Sequence, residues 1–245
     1  MLDEHQRLLR IARTVGWSQL VQIALGILTS LLVAKGIDIN LSADIESTAR
    51  NMLDAEIRLR AKAYLGCLGF ALSSVISVGL FLLLKTYGQL LATSCLVISL
   101  TGAMLALLGA VFAMNAAEIA SAQAYQSMTD EAQRLLLTGL QATSDYTSFH
   151  LGLVISCIAQ AGFFYLFLRS GLIPGLIAGW GVFASLLVSL VIVARDFAPL
   201  LGHPAITLGF MLANLVALLS LSLYLCIKGL RGARPGFTAR PALQR

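Results

Sequence analysis

The chain contains few charged residues. Asp, Glu, Lys and Arg make up 12% of the 245 residues, whereas hydrophobic residues make up 58% and the mean hydropathy is +0.85. Soluble domains carry about 25% charged residues, so this composition argues against a water-soluble fold. The net charge of +5 does not indicate nucleic-acid binding, because the basic residues lie next to apolar segments, as membrane insertion favours.

Charge is missing altogether from six long stretches of the sequence. About twenty apolar residues in a helix cross the ~30 Å hydrocarbon core of a bilayer. We therefore predict an all-α, six-span transmembrane helix bundle, with one integral membrane domain over 1–245 and a basic tail at 229–245. The spans are expected at about 15–34, 63–84, 90–114, 146–168, 172–194 and 205–227. The first stretch is longer than the 7–15 apolar residues of a signal peptide, so we expect a retained anchor.

The Lys and Arg residues predict the orientation of the bundle. With a cytoplasmic N-terminus, the inner side carries ten basic and two acidic residues, and the outer side carries seven basic and ten acidic residues. Because positive charge favours the cytoplasmic side, we expect both termini inside. The sequence thus predicts a multi-pass protein of the bacterial cytoplasmic (inner) membrane.

Two long connections on the predicted outer side resemble amphipathic helices. In the first, Ser42 is the expected N-cap, with acidic residues in the first turn and an apolar face formed by Ile45, Ala49, Met52, Leu53 and Ile57. In the second, Thr129 is the expected cap, and the apolar face consists of Ala132, Leu135, Leu136 and Leu140. Each helix either lies at the membrane interface or runs straight into the next span.

No ionisable residue lies in the middle of a span, where a charge costs at least ~2.5–3.5 kcal/mol. HExxH, aspartate-rich and glycine-rich phosphate motifs are also missing. These absences argue against a proton-coupled transporter and most hydrolytic enzymes. The four cysteines lie on four different spans, so we interpret them as packing residues and expect no disulfide.

A few polar residues inside the spans are candidates for ligand binding. Gln160 and Asn214 lie in the fourth and sixth spans, and Ser74 lies in the second, close to Ser73 and Ser77. Such side chains either bind one another between helices or line a cavity for a small polar or amphipathic ligand.

His150 is a fourth candidate, one turn inside the outer end of its span, with the carboxylate of Asp145 five residues before it. His203, Asp196 and Arg195 belong to the next outer loop. This group either binds a metal or senses acid, or His150 is an ordinary interfacial histidine and an Arg195–Asp196 pair caps a helix end. An enzyme would need His150, Asp145 and either Asp196 or Glu118 to converge. We expect no metal site and no cofactor. Small residues such as Gly102 and Ala106 are expected where helices approach closely.

The segment Phe149-His150-Leu151-Gly152 through Phe167-Leu168-Arg169-Ser170-Gly171-Leu172-Ile173-Pro174-Gly175 resembles the bacterial membrane proteins called the domain of unknown function 4386 family. The segments at Arg7–Ala12, Ala49–Leu53 and Ile227–Arg231 are similar too. Many members carry an acidic residue in the second span and an Arg early in the third, where this chain has Ser73-Ser74 and Ser99–Thr101. The resemblance implies the architecture and no particular activity.

These observations favour a non-enzymatic integral membrane protein. It is expected to bind a lipid-like or small amphipathic ligand, or a membrane-protein partner, within its helix bundle. The alternative is a membrane-embedded enzyme or facilitator that uses His150 and the outer carboxylates, and a third hypothesis is a structural accessory subunit.

Overall fold

The computed structural model describes residues 2–39 and 44–231 of the chain. Its eight α-helices are α1 (Leu2–Leu28), α2 (Ile45–Leu53), α3 (Glu56–Leu84), α4 (Gln89–Ser121), α5 (Gln123–Met128), α6 (Glu131–Ser170), α7 (Gly175–Arg195) and α8 (Pro204–Ile227). A π-helical segment at Thr29–Val33 continues α1, and short 3-10 turns follow α3 and precede α8. The described residues contain no strand, which confirms the all-α prediction.

Six of these helices are long and apolar enough to cross a membrane, and they coincide with the six predicted spans. Four of them, α1, α3, α4 and α6, extend well beyond the charge-free stretches. The longest, α6, has 40 residues and therefore measures about 60 Å, roughly twice the hydrocarbon thickness. Its first turns continue the span into a charged, polar environment.

The two long connections differ from each other. The first holds a separate helix, α2, which ends before a break at Asp54, and α3 then starts at Glu56. The second runs directly into its span, because α6 is continuous from Glu131 to Ser170. Each connection contains a helix, as predicted, and the helix of the second connection runs straight into its span.

The helix caps differ from the prediction. Ser42 lies outside the described residues, and the side chain of Asp44 caps α2 by accepting hydrogen bonds from the backbone N–H groups of Glu46 and Ser47. Asp130, and not Thr129, caps α6: its carboxylate accepts from Gln133 N, and the Gln133 side chain accepts from Asp130 N. This reciprocal pair is a capping box, which satisfies two otherwise unpaired donors.

The predicted apolar face of the second connection is not the face that packs against other helices. Leu136 and Leu140 are 75% and 58% exposed, whereas Thr138 and Gly139 are buried. A Cβ atom at Gly139 would lie 3.4 Å from Ile45 and 3.7 Å from Ala49, so small residues bring α2 against α6 there. Close helix packing among lipids favours small side chains, and large apolar ones can face the lipid.

The described residues group into two compact units, which are considered separately. The first unit comprises Met1–Val21, Ser73–Thr101 and Val154–Arg245, and its core contains large side chains such as Phe163, Phe164 and Phe167. The Nε1–H group of Trp180 donates a hydrogen bond of 3.1 Å to Ala213 O and joins α7 to α8. Most of the predicted basic tail, residues 232–245, lies outside the described residues, and the single domain over 1–245 stays a prediction.

The second unit comprises Gln22–Leu72 and Gly102–Leu153, and alanines dominate its core. A Cβ atom at Gly152 of α6 would lie only 2.8 Å from Gly102 O and 3.1 Å from Ala106 N of α4. The glycine thus lets two backbones approach closely, as expected for the small residues of the third span.

Candidate functional site

The first unit contains a groove of about 510 Å³ between α1 and α3. Its lining residues come from one face of each helix: Arg7, Arg10, Ile11, Thr14 and Val15 from α1, and Ser74, Val75, Val78, Gly79 and Leu82 from α3. Both sets follow the i, i+3, i+4 spacing that places residues on one side of a helix. The volume lies within the 300–1,000 Å³ typical of small-molecule sites.

The packing of α1 on α3 leaves this groove open beside a tight contact. A Cβ atom at Gly79 would overlap the side chain of Val15, so the two helices touch at that position. Val75 and Val78, on the neighbouring side of α3, are 46% and 42% exposed. An apolar wall is therefore accessible next to a close helix contact.

Polar groups lie toward both ends of the groove. As consecutive spans, α1 and α3 run antiparallel, so Arg7 lies toward the Leu82 end and Ser74 toward the other end. The two arginines are one turn apart on α1, and both are exposed. Among the acidic residues whose side chains the structure describes, none forms an ion pair with either of them. The groove thus combines an apolar wall with a concentrated positive charge at one end.

A serine cluster lies on α3 next to the Ser74 end of the groove. The hydroxyl of Ser77 donates to Ser73 O at 2.7 Å and lies 2.8 Å from the hydroxyl of Ser99 on α4. Ser77 is buried, so this pair joins the second and third spans in the interior of the first unit. These contacts are consistent with the expected role of intramembrane serines in holding helices together.

Two predicted ligand-binding residues, Gln160 and Asn214, carry oxygen atoms that are buried and unpaired. Within the described part of the chain, Gln160 Oε1, Asn214 Oδ1 and the hydroxyl of the fully buried Ser185 have no hydrogen-bond partner. The three residues lie on α6, α8 and α7, all in the first unit. An unpaired buried polar group is costly in an apolar environment, which makes each of them a candidate contact for water or ligand.

Contacts between α6 and α7 place Gln160 and Ser185 at a similar height. The Ser189 hydroxyl donates to Val154 O at 3.1 Å, and Phe164 packs against Gly181. Ser185 lies midway between these two contacts on α7, and Gln160 lies between them on α6. The two polar groups therefore belong to the same layer of the helix bundle.

The second unit contains an ion cluster that joins three segments of the chain. Lys62 Nζ on α3 lies 2.6 Å from Asp145 Oδ2 on α6 and 3.0 Å from Asp38 Oδ2 in the segment that follows α1. The Lys62 side chain is only 14% exposed, and each carboxylate is 16% exposed. We call these three residues the Lys62 cluster. The cluster contains one basic and two acidic side chains. Most of its surface is shielded from solvent.

Gly109 of α4 provides the space for one carboxylate of this cluster. A Cβ atom at Gly109 would overlap Asp145 Oδ1, so any larger residue would displace the side chain. Four segments of the second unit therefore meet at the Lys62 cluster. Charged groups near or within spans usually pair with one another, and this arrangement meets that requirement.

The outer residues considered for catalysis or metal binding have other partners. The His150 ring is 2.8 Å from Tyr146 O through Nδ1 and packs against the Tyr146 ring, with centroids 3.9 Å apart. Asp145 binds Lys62, and Glu118 binds Arg60 at 2.8 Å. Across residues 2–39 and 44–231, no group of three His, Cys, Asp or Glu side chains could hold a metal ion.

The remaining two outer residues stabilise the ends of α7 and α8. Asp196 is the C-cap residue of α7, and its backbone N–H bonds to carbonyl groups of the last turn. His203 caps α8, because its Nδ1 accepts a hydrogen bond of 3.2 Å from Ala205 N. Sequence analysis did not predict this cap for His203.

Of the four predicted ligand-binding residues, only Ser74 lines the groove. Gln160 and Asn214 lie elsewhere in the first unit, and His150 belongs to the second unit. Arg7 and Arg10 were counted among the basic residues that predict the orientation, but they were not predicted to line a site. The sequence did contain an indication of this site, because the two arginines are three residues apart and continue the same helix face as the apolar residues that follow them.

The turn between α6 and α7 carries the most specific sequence motif. The hydroxyl of the buried Ser170 donates to Phe167 O and accepts from Leu172 N, and Gly171 adopts a φ of 72° that other residues rarely adopt. Arg231 N donates to Leu172 O at 2.8 Å, so the end of the described chain binds back to this turn.

The six apolar helices define a multi-pass membrane protein with an amphipathic groove. The chain belongs to the family described as a domain of unknown function (DUF4386), whose model matches residues 14–229. This match confirms the resemblance found at the Arg169–Pro174 turn. No curated protein and no solved structure matches the chain.

Proposed function

We propose that this chain is a non-enzymatic integral membrane protein that binds a lipid-like, amphipathic ligand in the groove between α1 and α3. The observation that carries the proposal is the composition of the groove. Six of its ten lining residues are apolar or glycine, and its polar residues are two arginines, a threonine and a serine. Amphipathic ligands need this combination, because one part must leave water and the other must keep polar partners.

The proposal predicts that filling the groove prevents ligand binding without affecting the fold. Val78→Trp places a large ring in the groove at a position that is already 42% exposed, so the core need not rearrange. Val97→Trp is the matched control, because Val97 lies on α4 of the same unit, is 58% exposed and does not line the groove.

The measurement is native mass spectrometry of protein that was extracted from membranes in mild detergent. The wild type and Val97→Trp should retain bound lipid-like ligand, and Val78→Trp should lose it at an unchanged melting temperature. Equal retention of ligand by all three proteins would show that the groove is not the site.

The proposal includes the bacterial cytoplasmic membrane as the location, with both termini in the cytoplasm. The excess of basic residues on the expected inner side supports this orientation. A C-terminal fusion should give a fluorescent green fluorescent protein and an inactive alkaline phosphatase. The opposite pattern would reverse the orientation.

One observation favours a second candidate, a facilitator for small uncharged solutes. The unpaired oxygens of Gln160, Ser185 and Asn214 lie on three helices of one unit and could contact a passing solute. Glycerol uptake into proteoliposomes should then fall in Asn214→Leu and remain unchanged in Asn115→Leu, where the exposed amide bonds to Gln141. Uptake at the rate of protein-free vesicles would exclude this function. An enzyme at His150 is less well supported, because the carboxylates of Asp145 and Glu118 are bound in ion pairs.

A further inference from the structure

The groove between α1 and α3 has a strongly asymmetric charge distribution. Its two charged lining residues are Arg7 and Arg10, both on α1, and both are exposed. Residues three apart on a helix have Cβ atoms about 5–6 Å from each other, so both guanidinium groups can reach one anionic group. Arginine binds phosphate oxygens through paired N–H groups, which a single amine cannot do.

The rest of the groove fits the other end of such a ligand. The lining residues of α1 extend from Arg7 to Val15, which is eight residues and a length of about 12 Å along the helix axis. Along this length the wall consists of Ile11, Val15, Val75, Val78 and Leu82, with the hydroxyl of Thr14 as the one polar side chain of α1 beyond the arginines. A molecule with an anionic head and an apolar chain is complementary to both regions.

We propose that the ligand of this groove is an anionic phospholipid, with its phosphate bound by Arg7 and Arg10 and an acyl chain along the apolar wall. This inference rests on the proposed function, since it names the class of ligand for the same groove. Basic pockets between membrane helices are known to bind anionic lipid head groups. Arg7 and Arg10 are both exposed, and neither forms an ion pair with an acidic residue whose side chain the structure describes, so a ligand can reach their guanidinium groups.

A general attraction between basic residues and the membrane surface is the main competing explanation. Arg13 separates the two explanations, because it lies on α1 next to the groove residues, is exposed and does not line the groove. If the attraction is a general surface effect, all three arginines contribute similarly to the affinity for anionic lipid. If the groove holds a phosphate site, only Arg7 and Arg10 contribute to that affinity.

The experiment measures the affinity of two short-chain lipids for the full-length protein in detergent. Dioctanoyl phosphatidylglycerol carries a net negative charge, and dioctanoyl phosphatidylcholine has the same chains and no net charge. We expect the wild type and Arg13→Gln to prefer phosphatidylglycerol, and the double variant Arg7→Gln/Arg10→Gln to lose about thirtyfold of that affinity. Because both arginines are exposed, their replacement should leave the melting temperature unchanged.

Two results would overturn the inference: an equal affinity of the wild type for both lipids, or the same loss in Arg13→Gln as in the double variant. Val78→Trp distinguishes a failure of this inference from a failure of the proposed function. If Val78→Trp abolishes binding of both lipids while the wild type shows no preference, the groove binds lipid and the anionic class is wrong. If Val78→Trp changes neither affinity, the groove is not a lipid site. This result would be expected if a helix of a partner protein covers the groove.

Discussion

Removal of the Lys62 side-chain charge should destabilise the protein far more than removal of an exposed charge. Lys62→Met keeps most of the side-chain volume but removes the ammonium group that lies between the carboxylates of Asp38 and Asp145. Breaking a buried ion pair costs about 3–5 kcal/mol. Since the three side chains retain 14–16% exposure, we lower the expected loss to about 2–4 kcal/mol.

The exposed pair Arg50–Glu46 on α2 provides the matched control. Their side chains are 60% and 73% exposed, so Arg50→Met should cost about 0.2–1 kcal/mol. The free energy of unfolding can be measured by reversible unfolding in mixed detergent and dodecyl sulfate micelles, followed by circular dichroism at helix wavelengths. A loss in Lys62→Met no larger than that in Arg50→Met would refute this account.

Two further variants test whether the cause is an unpaired charge. The triple variant Asp38→Asn/Lys62→Met/Asp145→Asn removes all three charges, and it should recover much of the stability lost in Lys62→Met. Gly109→Ala should cost roughly 1–3 kcal/mol because the new methyl group displaces the Asp145 carboxylate. Gly69→Ala is its control, since no atom lies within 4 Å of the added Cβ. A triple variant as unstable as Lys62→Met would assign the loss to packing.

Three other predictions follow from contacts of single side chains. A double-mutant cycle of Ser77→Ala and Ser99→Ala should give a coupling of about 0.6 kcal/mol in the same unfolding assay, and zero coupling would mean that the 2.8 Å contact adds nothing. Gly152→Ala should lose roughly 1–3 kcal/mol because its Cβ meets backbone atoms, whereas Gly179→Ala, with open space around it, should not lose stability. The hydrogen bonds from Ser47 and Glu46 lower the pKa of Asp44, so its cap stabilises α2 above the ordinary pKa of an aspartate and is lost as the pH falls through the lowered value. The protection factors of the α2 amides, which compare their exchange rates with those of an unfolded chain at the same pH, should therefore fall in acid for the wild type and should already be low at neutral pH in Asp44→Ala.

Membrane thickness explains why the spans were predictable. A lipid-crossing helix must be apolar over a fixed length, and each of the six charge-free stretches became one helix. The helix ends were not predictable in the same way. Residues Asn115–Ser121 continue α4 and Glu131–Asp145 begin α6 outside the apolar stretches, where hydropathy no longer distinguishes helix from loop.

The packing faces were harder to predict than the spans. Hydrophobicity does not separate lipid-facing from protein-facing residues, because lipid tails are as apolar as leucine. The exposed Leu136 and Leu140 and the buried Thr138 and Gly139 show this reversal in α6. The candidate groove was not predictable from the sequence either, since its lining residues on α1 and α3 are far apart in sequence and come together only through tertiary packing. In the Lys62 cluster, Lys62 and Asp145 are 83 positions apart in the sequence. The only indication of this contact in the sequence was a basic residue just before the second span and an acidic residue just before the fourth.

The order of synthesis matters for the Lys62 cluster. Asp38 leaves the ribosome 24 residues before Lys62, whereas Asp145 follows 83 residues after it. At about 5–20 residues per second, Lys62 waits roughly 4–17 s for its second carboxylate. During that interval Asp38 can neutralise the ammonium group while α3 enters the bilayer. The later arrival of α6 then completes the cluster, so insertion of the second span need not wait for the fourth.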